Sequence, residues 1–569
     1  MVGSEKEAHM KKISLTLSIP FLVVGSLACG GGKDDTSETA GTGIVDTGDI
    51  DPGVAATLEA GDTVVCAEPD LRQSLGPYFE LDAGPGWTNQ AVPSTQYGRG
   101  VAVADFDGDG AYDIFVPNLG RDQLFMSQGD GNFVDEAMDR FDTFSQMVSQ
   151  RSQAAYAVDV DDDGDLDLFV ANRGNLNRVH LNDGLGMFTT TDVGLAAQGA
   201  ASLAATFLDI NGDGHLDMFV SAHFIGPSEG WSLEDPGDAT PGELYLSNGD
   251  GTFKDVSDRL PDAALLGYTN AAGLFDIDHD GLVELYVAND FGALTHRNHL
   301  YRITPNGDTV DLTDISDETG TGLQMFGMGI AYADLNGDTM PELLLTSWDE
   351  LILLESTPGA PYYDSAASRG ITHEYGVRDV AWGPEFGDMD NDGDEDLYVV
   401  FGYLEGGEED GLANPIEQPD ALYVQQEDGS FTQEAEAWGL DNKGVGRGFS
   451  FVDLNFDGFL DIISRDLGGP SIISMARCDS SSWLEIRLKQ PAPNVGSIGA
   501  RVEAHVDGRV MTRWVVLGAN NFSGSSMTDL HFGLGGAESV DLLVVHWPNG
   551  EISRFEQVDG NRLITITKD

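Results

Sequence analysis

The chain has 569 residues, with 29 Lys plus Arg against 96 Asp plus Glu and a net charge of −67. That excess of negative charge excludes nucleic acid as a partner, because the phosphates would be repelled. A hydrophobic fraction of 41% excludes wholesale disorder; what remains is a folded protein whose carboxylates are partly neutralised by bound cations.

The N-terminus reads as a targeting segment. A basic start at Met10–Lys12 precedes an apolar run over Ile13–Ala28, too short for a comfortable membrane span and suited to a secretory signal. Ser26-Leu27-Ala28-Cys29 resembles a bacterial lipobox, which makes residues 1–29 a signal peptide and Cys29 the lipidated first mature residue. Residues 30–65, rich in Gly, Asp and Thr, read as a flexible tether with a span of about 30 Å. The expected location is outside the cytoplasm, with the membrane reached only through a lipid anchor. With Cys29 set aside, Cys66 and Cys478 remain, either as a disulfide or as two buried thiols.

The pattern D-x-[DN]-x-D-G-x-x-[DE] then recurs seven times at broadly even intervals. Its chemistry is that of a calcium loop. Ca²⁺ takes six to eight oxygens, and side chains at positions one, three, five and nine, with a backbone carbonyl at seven, converge if the backbone curls tightly. Gly at position six permits the bend. The candidate ligands are Asp105, Asp107, Asp109 and Asp113; Asp159, Asp161, Asp163 and Asp167; Asp209, Asn211, Asp213 and Asp217; Asp276, Asp278, Asp280 and Glu284; Asp334, Asn336, Asp338 and Glu342; Asp388, Asp390, Asp392 and Asp396; Asp453, Asn455, Asp457 and Asp461. An EF-hand needs a Glu at position twelve and flanking helices; here apolar strand residues such as Ile114–Val116 stand there. The expectation is up to seven structural Ca²⁺. The fifth loop is degenerate, with Thr339 in place of Gly.

A small-residue strand such as Gly100–Ala104 precedes most loops, and an apolar strand such as Leu168–Ala171 follows. A third element, Leu-Tyr-x-x-x-Gly-Asp-Gly-x-Phe in its fullest form, and a final polar strand complete the unit. Four short strands in each of seven units predict an all-β, seven-bladed β-propeller over residues 66–478. The seventh unit lacks its outer strand, which Pro77–Leu81 is expected to supply. Cys66 and Cys478 flank that closure, so a disulfide would staple it.

Residues 480–569 lack the repeat and alternate as a small all-β domain, with a hairpin turn at Asn549-Gly550. The loops and their flanking strands resemble FG-GAP/VCBS repeats, and the tail resembles an ASPIC/UnbV domain on Gly499–Val502, His531–Gly535 and Val545–Gly550. Together they resemble the cartilage acidic protein family, in a bacterial secreted lipoprotein form. The resemblance implies an extracellular calcium-binding propeller and no settled molecular activity. No hydrolase, P-loop or zinc motif occurs, and no catalytic residue is assigned. The expected function is surface binding or adhesion to a protein or glycan, with Trp231, in a Gly- and Pro-rich insertion, as the candidate recognition residue. The alternative is an enzyme working in the central pocket.

Overall fold

The computed structural model describes residues 53–66, 79–82 and 100–569, the last stretch without 130–131, 143–149, 192, 196–200, 225–237, 293, 349, 374–378, 403–417, 468–470, 519–523 and 525–527. Cys29 and Trp231 lie outside the described residues.

Runs of Val, Ile, Leu, Phe and Tyr between Gly/Asp turns form strands because branched and aromatic side chains pack on a pleated surface. Among the described residues these strands make nine sheets. Seven share one antiparallel pattern of four strands, illustrated by Thr269–Phe275, Val283–Asn289, His299–Asn306 and Thr309–Asp314; the second of them adds Leu119–Gly120 as a fifth. The second strands, such as Asp167–Asn172 and Asp217–Ala222, are buried along their whole length. Such strands need cover on both faces, which explains runs that are apolar rather than alternating.

The first strand of each sheet lies beside the first strand of the next, and Gly446–Val452 of the seventh lies beside Ala102–Ala104 of the first. The seventh sheet takes its fourth strand from the start of the array: Phe79–Asp82 pairs antiparallel with Ile472–Ala476.

The C-terminal module is two further sheets. One holds Ser482–Lys489, Leu530–Gly535 and Arg562–Lys568; the other holds Arg501–Val506, Arg509–Trp514, Ser539–His546 and Ile552–Asp559. Its core is continuous with that of the array, since Phe207, Leu208 and Ile210 pack in one cluster with Ile498, Val515 and Leu517.

The tether expected over 30–65 is corrected at its end. Ala56–Ala60 is a strand paired with Arg562–Lys568, so the chain begins its described course inside the C-terminal module. The period-two signal was small: Val54, Ala56 and Leu58 face the core, while the intervening residues are polar or small. Cys66, just past this strand, forms a disulfide with Cys478, just before Ser482. The bond therefore joins the segment leading from module to array to the segment leading back.

Opening that disulfide should cost roughly 2–4 kcal/mol, because it closes a long loop in the unfolded chain. Urea unfolding of Cys66→Ser/Cys478→Ser against the parent checks this; identical midpoints and slopes would contradict it.

Candidate metal centres

Each Asp-rich loop links the first and second strands of a sheet, and its shape is set by its own carboxylates. The position-one carboxylate accepts the position-six N–H in all seven loops, at 2.6–3.2 Å. The position-five carboxylate accepts the position-seven N–H, at 2.8–3.2 Å. Two residues per loop sit at positive φ, positions four and six. Position six is Gly except at Thr339 (φ 71°). Position four is Gly108, Asp162, Gly212, His279, Gly337, Asn391 or Phe456, a variety that hides the requirement in the sequence.

Where position four carries a side chain, that side chain latches the next loop. Asp162 pairs with His215, and His279 Nε2 donates to the Thr339 carbonyl at 2.6 Å. Asn391 Nδ2 donates to the Gly458 carbonyl at 2.8 Å, and Phe456 stacks on Tyr112 of the first loop at 5.2 Å.

Position nine does more than the ligand role expected of it. One oxygen accepts the N–H of position two, as in Phe106 to Asp113 and Val160 to Asp167. In six loops the other accepts an N–H at the end of the third strand, as in Ser127 to Asp113 and Asn182 to Asp167. In the fourth loop Arg302 takes that place on Glu284 and also reaches Asp278.

The structure brings together Asp105, Asp107 and Asp113; Asp159, Asp161 and Asp167; Asp276, Asp278 and Glu284; and Asp388, Asp390 and Asp392, with candidate ligand atoms within 4.8 Å of one another. The third, fifth and seventh loops carry Asn at position three and offer fewer acids. There the amide reaches a loop carboxylate, as in Asn211 to Asp213 and Asn336 to Glu342.

These clusters fit a divalent cation on two counts. Buried oxygens of Asp107, Asp159, Asp161 and Asp165 have no hydrogen-bond donor, and a buried carboxylate oxygen without one is costly. Burial also lifts Asp113, Asp159, Glu284 and Glu342 to about 7 and Asp167 to about 8. Asp217, Asp388, Asp396, Asp453 and Asp461 are raised well above the carboxylate range by burial first, with neighbouring acids adding to it.

The C-terminal module lies over this loop face. Asn494 N–H donates to Asp162, Gly533 N–H to Asp388 at 3.0 Å, and His531 Nε2 to Asn391 Oδ1 at 2.6 Å. Arg509 and Arg513 pair with Asp394 and Glu395, and Tyr112 donates to Asp529. At the seventh loop a Cβ on Gly458 would stand 1.8 Å from Trp483 Cε2, so close approach and positive φ both demand glycine. Glu485, fully buried and without a donor, adds its charge to Asp453, Asp457 and Asp461. No sequence signal separated this docked arrangement from two modules in series.

On the face opposite the loops, Trp382 is buried, donates to the Gly402 carbonyl and lies under Arg447, which is a packing role. Trp348 stacks on Phe326. His299 pairs with Asp314 and stacks on Tyr301; it belongs to none of the acidic clusters.

Two outcomes follow. A β-branched residue at positive φ costs roughly 1–2 kcal/mol, so Thr339→Gly should raise stability by about 1 kcal/mol in a denaturant titration; a loss would show that Thr339 is not strained. Carboxyls whose folded values are raised favour the fold below their unfolded value near 4 and lose that contribution as pH rises through about 7–8. In chelator, the protein should melt higher at pH 5 than at pH 8; the reverse order would contradict the burial argument.

Family comparison places these observations. An FG-GAP-like repeat matches residues 105–170, 159–220 and 276–345, and the ASPIC and UnbV domain matches residues 490–569. The chain is similar to cartilage acidic protein 1 of Mus musculus (24% identical, covering 82% of this chain and 73% of that protein) and of Homo sapiens (24%, 82% and 72%). Among solved structures it is similar to an Agrocybe aegerita lectin recognising non-reducing terminal N-acetylglucosamine, at 18% identity and a TM-score of 0.37, over 59% of this chain and 79% of that one. The chain is an FG-GAP repeat protein with a C-terminal ASPIC and UnbV domain, similar to cartilage acidic protein 1 over most of its length.

Proposed function

We propose that this is an exported calcium-binding protein, a closed seven-bladed β-propeller capped by its C-terminal module, acting in surface binding or adhesion. The observation that carries the calcium reading is the set of buried, donor-free oxygens on Asp107, Asp159 and Asp161, each beside other acids of its loop. Side chains at positions one, three, five and nine, with the position-seven carbonyl, would hold the ion. The ion supplies charge neutralisation and a cross-link between the loop and the second strand. Closure of the ring is supported by the contact between the first strands of the seventh and first sheets. Export rests on the N-terminal signal, with Cys29 as the lipid anchor. Among the described residues no helix is long and apolar enough to cross a membrane.

One observation favours a second reading, an enzyme working on the face opposite the loops. His223 Nε2 lies 3.2 Å from Asp290 Oδ2, ringed by Phe224, Tyr268 and Phe291. Tyr268 and Phe291 both sit at φ 55°, a strained setting for aromatic residues and one that clusters at functional sites.

Each occupied site adds about 2.7 kcal/mol when calcium exceeds its Kd by ~100-fold. The melting temperature should therefore rise steeply from EDTA to millimolar calcium, and equal values would sink the calcium reading. Arrays of proteins and glycans, probed in calcium and in EDTA, test binding: calcium-dependent capture of a defined ligand supports adhesion, and no capture in either condition counts against it.

A further inference from the structure

Between the module and the fifth, sixth and seventh sheets lies a chamber of about 110 Å³. Tyr332 and Phe451 line it from first strands of the array, Glu395 from the sixth loop, and Arg513, Trp514 and His531 from the module. Four of these residues are buried, none more than 9% exposed, and each carries a polar atom with no hydrogen-bond partner: Tyr332 Oη, Glu395 Oε2, Arg513 Nη2 and His531 Nδ1. One such atom left unpaired is costly, and four around one chamber point to something that pairs with them. Their chemistry is mixed. Glu395 holds Arg513 Nε through its other oxygen, at 3.0 Å. His531 Nε2 donates to Asn391, which leaves Nδ1 as an accepting lone pair. The unpaired atoms are thus a donor on Arg513, acceptors on Glu395 and His531, and a hydroxyl that does either.

We propose that this chamber binds one small neutral polyol, its hydroxyls paired with Tyr332, Glu395, Arg513 and His531 and its C–H face against Trp514 and Phe451. A hydroxyl both donates and accepts, so one kind of ligand group meets all four atoms. An ion does not, because the Arg513–Glu395 pair opposes either sign with one of its own charges. Water offers the same hydrogen bonds but makes no use of the aromatic wall, where Tyr332 and Trp514 meet edge to face at 5.7 Å and Phe451 is buried. That wall suits the apolar face of a hydroxylated carbon chain. Volume limits the ligand. A water needs about 10–15 Å³ of such space, so the chamber holds roughly seven to eleven waters, or one molecule of about as many non-hydrogen atoms, such as a polyol of about five carbons. The site is separate from the adhesion reading, since it takes a whole small molecule under the module rather than a partner on a surface. His531, from the tail's own motif, thereby gains a role beyond its contact with the sixth loop.

The test uses the full chain with its disulfide intact, in millimolar calcium, with xylitol as probe and saturation-transfer NMR as readout. Expected are a saturable signal from the parent and at least about tenfold weaker binding by Val516→Phe. Val516 lines the chamber and is half-buried, so its larger replacement fills the space the ligand needs. Tyr332→Phe should bind roughly three- to tenfold more weakly, yet melt no lower than the parent without xylitol, because it removes only an unpaired hydroxyl. That variant carries the test should Val516→Phe fail to fold. Met138→Asp, on an exposed residue outside the chamber, should bind as the parent does. No saturable xylitol signal would mean a chamber that holds water only, and it overturns the proposal. So do parent-like binding by Val516→Phe, a lower melting temperature for Tyr332→Phe, and equal or tighter binding of valerate or pentylammonium, charged probes of similar size.

Discussion

The carboxylate at position nine is the constraint on which the rest of the structure depends. It stands where the second strand begins, buried, and its oxygens accept one N–H from the turn of its own loop and, in six of seven cases, one from the end of the third strand. One side chain thus fixes both the curl of the loop and the register of the strand two places on. Neutral side chains would satisfy those N–H groups only in part, and a charged acceptor makes the stronger bond. The cost is a buried negative charge beside two or three others, which a cation, an arginine or, at low pH, a proton offsets. Arg302 shows the second solution, reaching into the fourth loop from the third strand.

That constraint gathers buried acids on the loop face of the array. The chain covers it. The C-terminal module brings Arg509, Arg513 and backbone N–H groups to the sixth loop, and Trp483 to the seventh, where only Gly458 lets the indole in. The first described strand, Ala56–Ala60, belongs to the cover rather than the array, and the Cys66–Cys478 bond ties the segment leaving the cover to the segment returning. Cover and array are therefore one folding problem, with one apolar cluster joining the module to the second, third and fourth sheets.

The sequence carried the loops, their strands and the borrowed strand of the seventh sheet, because acid spacing and apolar runs are local signals. Three features were less legible. Position four takes positive φ in every loop, yet it is His279 in one and Phe456 in another, so no residue type announces it. Those side chains are chosen for the latch they make with the next loop, and tertiary contact overrides turn propensity. Position nine read as a ligand because oxygen chemistry is visible in a sequence, whereas its partner at the end of the third strand lies at a sequence distance that varies from 14 to 30 residues. The strand at Ala56–Ala60 was hidden by Gly and Asp on both sides; three apolar residues at alternate positions, Val54, Ala56 and Leu58, are too few to outweigh that composition.

The covered face also bears on what the ions would do. A sensor site must exchange its ion with solvent and move something when it does. Loops pinned by position nine, four of them latched to their neighbours at position four, and overlaid by a second module have little room to move. Cations held there would act as rivets, and recognition would have to use surfaces the rivets hold rigid.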